Sequence, residues 1–111
     1  MNDNTAYWIA VDLDGTLAVS ASGQDHWRIG PPVPAMVAQV KDWLRRGYTV
    51  KIFTARAGDP DQKRLVSTWL QGIGLGALEI TNVKDFRMGT LYDDRCVQIS
   101  RNRGVPVKHR S

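Results

Sequence analysis

The sequence predicts an α/β fold: a single domain over 1–111 in three layers, a mostly parallel sheet with helices packed on both faces. Three observations carry this expectation. Apolar, β-rich runs alternate with stretches whose apolar residues recur at helical spacing, the pattern of βαβ units with right-handed crossovers. The first run, Tyr7-Trp8-Ile9-Ala10-Val11, is continuously apolar, as in a strand buried on both faces of a parallel sheet. It stops abruptly at Asp12-Leu13-Asp14-Gly15-Thr16-Leu17, and open α/β sheets bind their ligands beyond the carboxyl ends of the strands. Asp12 and Asp14 are therefore expected at a ligand crevice. The competing reading is a strand followed by an ordinary Asp-Gly turn.

The remaining elements follow in order. Ala18 to Pro32 is polar, contains Gly and Pro and has no sustained periodicity, so it reads as a long loop of the kind that often carries function. His26, Trp27 and Arg28 stand out within it as substrate contacts, or alternatively as a Trp that packs the loop onto the body beside an exposed His. Pro34 pre-sets the first turn of a helix. Val33, Met36, Val37, Val40 and Leu44 fall on one face of it, Trp43 widens that face, and Gly47 closes it. Tyr48 to Phe53 is a β-branched and aromatic strand that delivers Thr54, then Ala55 and Arg56. Asp59-Pro60-Asp61-Gln62 is a close variant of the capping box, and Leu65, Val66, Trp69, Leu70 and Ile73 supply the apolar face of the helix it opens. Gly72, Gly74 and Gly76 follow a helix instead of joining a strand to one, which excludes a dinucleotide fingerprint. Leu78 to Thr81 reads as a third strand, followed by Asn82-Val83-Lys84-Asp85. Thr90-Leu91-Tyr92 is a fourth, running into Asp93-Asp94-Arg95, and Cys96 to Ile99 a fifth.

Composition sets outer limits on function. At 42% hydrophobic and 23% charged residues, the chain has the make-up of an ordinary globular protein. It has no apolar run long enough to span a bilayer, and Met1 to Thr5 lacks the features of a secretory signal, so a cytoplasmic location is expected and no membrane partner. The lone Cys96 excludes an internal disulfide and reads as a small core residue. A net charge of +4 favours polyanionic or phosphorylated partners, although Arg95, Arg101, Arg103, Lys108 and Arg110 equally suit a solvated surface and a frayed tail.

Strand ends thus present Asp12 and Asp14, Thr54, and Asp93 with Asp94, with Lys84 nearby. Clustered carboxylates repel one another unless a cation sits among them, and a hard divalent ion with oxygen ligands answers the repulsion. Magnesium, bound by few carboxylates together with water and phosphate oxygens, suits this inventory. A hydroxyl and an ammonium opposite it would hold the remaining phosphate oxygens, so the set as a whole points to phosphoryl transfer.

Asp12-Leu13-Asp14-Gly15-Thr16-Leu17 resembles the first motif of the haloacid dehalogenase (HAD)-like superfamily, Thr54 the second, Lys84 the third and Asp93-Asp94 the fourth, in the right order along nearly the whole chain. The resemblance implies a Rossmann-like phosphatase or phosphotransferase, since dehalogenases lack the acid found here at Asp14. It implies Asp12 as nucleophile, Asp14 as general acid and base, Thr54 on the phosphoryl group, and Lys84 neutralising charge. It places magnesium on the Asp12 side chain, the Asp14 backbone carbonyl and Asp93, with Asp94 bound directly or through water. Arg56, just past Thr54, would contact substrate or form a structural ion pair. Neither gap that carries a cap domain in this superfamily holds more than a loop, so the chain resembles a capless member with Ala18 to Pro32 as its flap and Trp27 and Arg28 as flap contacts. Gly30 to Pro34, Phe53 to Arg56, Val83 to Phe86 and Tyr92 to Arg95 are similar to segments of small uncharacterised phage and bacterial proteins of this superfamily. The expected partners are a phosphorylated small molecule or a nucleotide, with nucleic acid a further candidate; the oligomeric state stays open. A non-catalytic phosphate- or nucleic-acid-binding module is the alternative to an enzyme.

Overall fold

The computed structural model describes residues 6–20 and 26–108. Residues 21–25 of the long connection and Arg110 of the basic tail lie outside them. Strand β1 (Trp8–Val11) leads through that connection to helix α1 (Pro34–Arg45), strand β2 (Thr49–Phe53), a 3₁₀ turn over Ala55–Gly58, helix α2 (Pro60–Gly72), strand β3 (Glu79–Thr81) and strand β4 (Met88–Tyr92). The strands form one sheet in the order β3-β2-β1-β4, all parallel, an arrangement that fits the Rossmann-like α/β class.

Local chemistry accounts for the helix ends. Pro34 opens α1, and Gly47 beyond its end takes a φ of 86° that a side chain would resist. At α2 the Asp59 carboxylate accepts from the amides of Asp61 and Gln62. The reciprocal half of the expected capping box is missing, because the Gln62 side chain turns to Arg56 instead.

Both helices pack on the same face of the sheet. Val11, Val50, Ile52 and Ile80 point to that face and share one core with Val40 and Trp43 of α1 and Val66 and Leu70 of α2. Strand order dictates this. The steps β1 to β2 and β2 to β3 run in the same direction, so two right-handed crossovers must lie on one side. The expected three layers with helices on both faces are therefore corrected to two. The return from β3 to β4 crosses the other face as a loop, residues 82–87, too short for a helix. That face is closed by side chains. The Trp8 indole donates to Asp85 at 2.9 Å, the Lys51 ammonium lies 4.6 Å from its ring centroid, and Phe53 packs at 6.4 Å between centroids. The indole and the Arg87 amide hold the Asp85 carboxyl below the usual carboxylate range.

The expected fifth strand does not form. Cys96 to Ile99 is irregular apart from a single bridge from Ile99 to Pro106, and β4 is an edge strand. Cys96 is accordingly exposed and not a core residue. Val97 is 69% and Ile99 50% exposed, so among the described residues the apolar side chains that suggested a strand are left largely uncovered.

Candidate functional site: an acidic cleft at the strand ends

The connection leaving β1 runs toward β2, while β4 lies on its other side, so the crevice between their carboxyl ends is a topological switch point. Asp12 follows β1 there, and Asp93 and Asp94 follow β4. Leu13 and Leu17 are fully buried, and their anchoring leaves Asp12 and Asp14 turned to the cleft. Gly15 has a φ of 91°, and a Cβ there would strike the Asp94 carboxylate. Only glycine lets the two turns approach so closely. Thr16 locks them together: its hydroxyl donates to Asp94 Oδ1 at 3.2 Å and accepts from the Asp94 amide at 3.0 Å. Asp93 is fixed in turn by the Arg95 amide at 2.8 Å.

Carboxylate oxygens of Asp12, Asp93 and Asp94 all lie within 4.8 Å of one another. Burial, then the Asp93 charge, then a hydrogen bond to Asp94 push the Asp12 carboxyl up to about 7. A cation among these oxygens would remove that penalty, and an all-oxygen donor set suits a hard divalent ion such as magnesium. The residues present fit the expected metal. The Asp14 side chain stands apart from this cluster.

A cleft of about 600 Å³ opens beside the cluster, lined by Asp12, Asp14, Thr54, Arg56, Asp93 and Arg95 together with Ser20, His26, Phe53 and Ala55. Thr54 is held by its own amide bond to the Thr81 carbonyl at 2.9 Å. Its hydroxyl oxygen accepts from the Arg56 amide at 3.2 Å, which leaves its O–H to be donated.

Arg56 does not present its charge to the cleft as a phosphate-binding group would. Its Nε donates to Asp14 Oδ2 at 2.8 Å and one terminal nitrogen to Asp14 Oδ1 at 3.0 Å, a two-pronged ion pair. The same terminal nitrogen reaches the Arg28 carbonyl at 3.0 Å, while the other donates to Gln62 Oε1 and to the His26 carbonyl. A guanidinium has five N–H groups, and all five are engaged within the protein. The expectation that Arg56 binds substrate phosphate is corrected, and the ion-pair reading is the one the geometry supports.

Lys84 is exposed on the β3–β4 connection and does not line the cleft, so the structure does not bring it to the acids. Trp27 is 58% exposed, and neither it nor Arg28 lines the cleft; from that part of the loop His26 does. Sequence reasoning missed Arg95 as a cleft residue and Gln62 as a partner of Arg56. Position next to Asp94 was the only hint of the first, and the capping pattern masked the second.

No protein-family model matches the chain, and no curated protein does. A solved structure described as that of the conserved protein coded by locus from Bacteroides thetaiotaomicron is similar over 84% of this chain and 79% of its own, with a TM-score of 0.58 at 23% identity. At that identity the likeness is one of fold.

Proposed function

We propose that the chain is a capless, HAD-like, magnesium-dependent phosphohydrolase that cleaves a phosphomonoester through an aspartyl-phosphate. The observation that carries this reading is the meeting of Asp12 with Asp93 and Asp94 in a cleft that Thr54 also lines. Asp12, Asp93 and Asp94 would hold the metal. When bound, magnesium supplies positive charge that lets a phosphate dianion approach a carboxylate. An Asp12 oxygen attacks phosphorus, and the bond from phosphorus to the alkoxy oxygen breaks. Asp14, on the same cleft, gives its proton to that leaving oxygen. It then takes a proton from the water that attacks phosphorus and frees Asp12. Thr54 donates its hydroxyl hydrogen to a non-bridging phosphoryl oxygen. Arg95 supplies the nearby positive charge expected of Lys84.

The net charge of +4 supports a phosphorylated or nucleotide substrate, nucleic-acid ends included. A free thiol fits a reducing compartment, and we place the protein in the cytoplasm on this reading. One observation favours the alternative of a non-catalytic phosphate-binding module: both Asp14 oxygens are already engaged by Arg56. Turnover separates the two.

A generic aryl phosphomonoester assay with and without magnesium, run on the wild type and on Asp12→Asn, tests the proposal. Magnesium-dependent turnover that falls by at least about a thousandfold in Asp12→Asn is expected. Turnover insensitive to the substitution removes Asp12 as nucleophile, and stoichiometric phosphate binding without turnover selects the binding module.

A further inference from the structure

The base of the β1–α1 connection is closed by backbone pairing. Val19 donates to the Pro31 carbonyl at 2.8 Å, Val33 to the Leu17 carbonyl at 2.7 Å, and the Trp69 indole of α2 to the Gly30 carbonyl at 3.0 Å. Beyond that base, the returning arm at 26–28 is joined to the body by Arg56. Two of its five hydrogens go to the His26 and Arg28 carbonyls, two to the Asp14 carboxylate and one to Gln62 of α2. The arginine side chain is only 9% exposed, so water does not readily replace a lost acceptor.

We infer that Arg56 is a positioning residue, a five-donor strap that ties the returning arm of the flap to the Asp14 carboxylate, so that seating of the flap and the aim of Asp14 depend on each other. The planar fork makes the coupling stiff. An arginine that loses the flap carbonyls keeps only Asp14 and Gln62 to set the plane of its guanidinium, and the aim of Asp14 slackens with it. A lysine, with three hydrogens on one nitrogen, cannot span a carboxylate, two carbonyls and an amide at once. The kinetic consequence rests on the phosphohydrolase reading, in which Asp14 protonates the leaving group. The structural coupling does not.

The test combines hydrogen exchange of peptides covering 26–30 with steady-state kinetics of wild type, Arg56→Lys and Asp14→Asn. Substrates are an aryl phosphomonoester with a good leaving group and an alkyl one with a poor leaving group. Exchange is expected to quicken about tenfold in both variants, because either change releases the strap. Arg56→Lys is expected to lower kcat/KM on the alkyl ester by about 10- to 100-fold and on the aryl ester by less than about threefold, since kcat/KM reports formation of the aspartyl-phosphate, where only a poor leaving group needs the proton. By contrast, kcat falls on both esters where hydrolysis of that intermediate, which also uses Asp14, limits turnover. Equal loss of kcat/KM on the two esters, as removal of a phosphate ligand would give, overturns the inference, as does unchanged exchange. Gln62→Met, which removes one acceptor and keeps Arg56, covers the case in which Arg56→Lys does not fold; it should show the same exchange change, smaller in size. If the wild type turns over neither ester, the phosphohydrolase reading falls, and exchange alone decides the strap: quickening in both Arg56→Lys and Asp14→Asn supports it, and quickening in neither or in one alone overturns it.

Discussion

Asp12 carries the clearest electrostatic signature in the chain. Its carboxyl, pushed from 3.8 up to about 7, favours the protonated form in the folded protein. The stabilising contribution is fully present below pH 3.8 and is lost as pH rises toward about 7 when no metal is bound. Asn at this position cannot ionise and escapes the loss. In chelator, the melting temperature of Asp12→Asn relative to wild type should therefore climb between about pH 4 and pH 7. Solvent screening of the half-buried carboxyl limits the gain to about 1 kcal/mol, or roughly 4 °C. Thermal melts across that range check it, and a pH-independent difference contradicts it. Much at this scale was legible in the sequence. Acids at the ends of strands have few structural uses, so Asp12, Asp93 and Asp94 could be grouped before their distances were known. Arg56 could not be resolved the same way. Its partner Asp14 lies 42 residues away, and its acceptors on the flap are backbone carbonyls, which no side-chain pattern reveals.

Among the elements, helices and inner strands followed their local periodicity, because the face that repeats in sequence is the face the core covers. Two expectations failed where the outcome depended on neighbours. Cys96 to Ile99 has the composition of a strand, but a strand exists only when paired, and this segment does not add to the β4 edge. The second helical layer failed because strand order, invisible in local pattern, sent both crossovers to one side. The start of α2 links local structure to the cleft, since Asp59 caps the helix that carries Gln62. Its carboxylate accepts the Asp61 amide at 2.8 Å and the Gln62 amide at 3.4 Å. Asp59→Ala should cost about 1 kcal/mol. Urea denaturation measures this directly; a midpoint equal to that of the wild type shows the cap to be idle.

For the whole molecule, the sheet order puts β1 in the interior with β4 beside it, and the turns after these two strands supply every acid of the cluster. A single layer of helices suffices because aromatic and aliphatic side chains close the opposite face. No helix among the described residues is long and apolar enough to cross a membrane. The central claim is that residues about eighty positions apart in sequence make one divalent-cation site. Isothermal titration of metal-stripped protein with magnesium tests it most directly. One equivalent is expected to bind to the wild type and to Lys84→Ala alike, and none to the Asp93→Asn/Asp94→Asn double variant once circular dichroism has shown it folded. Magnesium binding that survives the double substitution, or none in the wild type at millimolar concentration, contradicts the account.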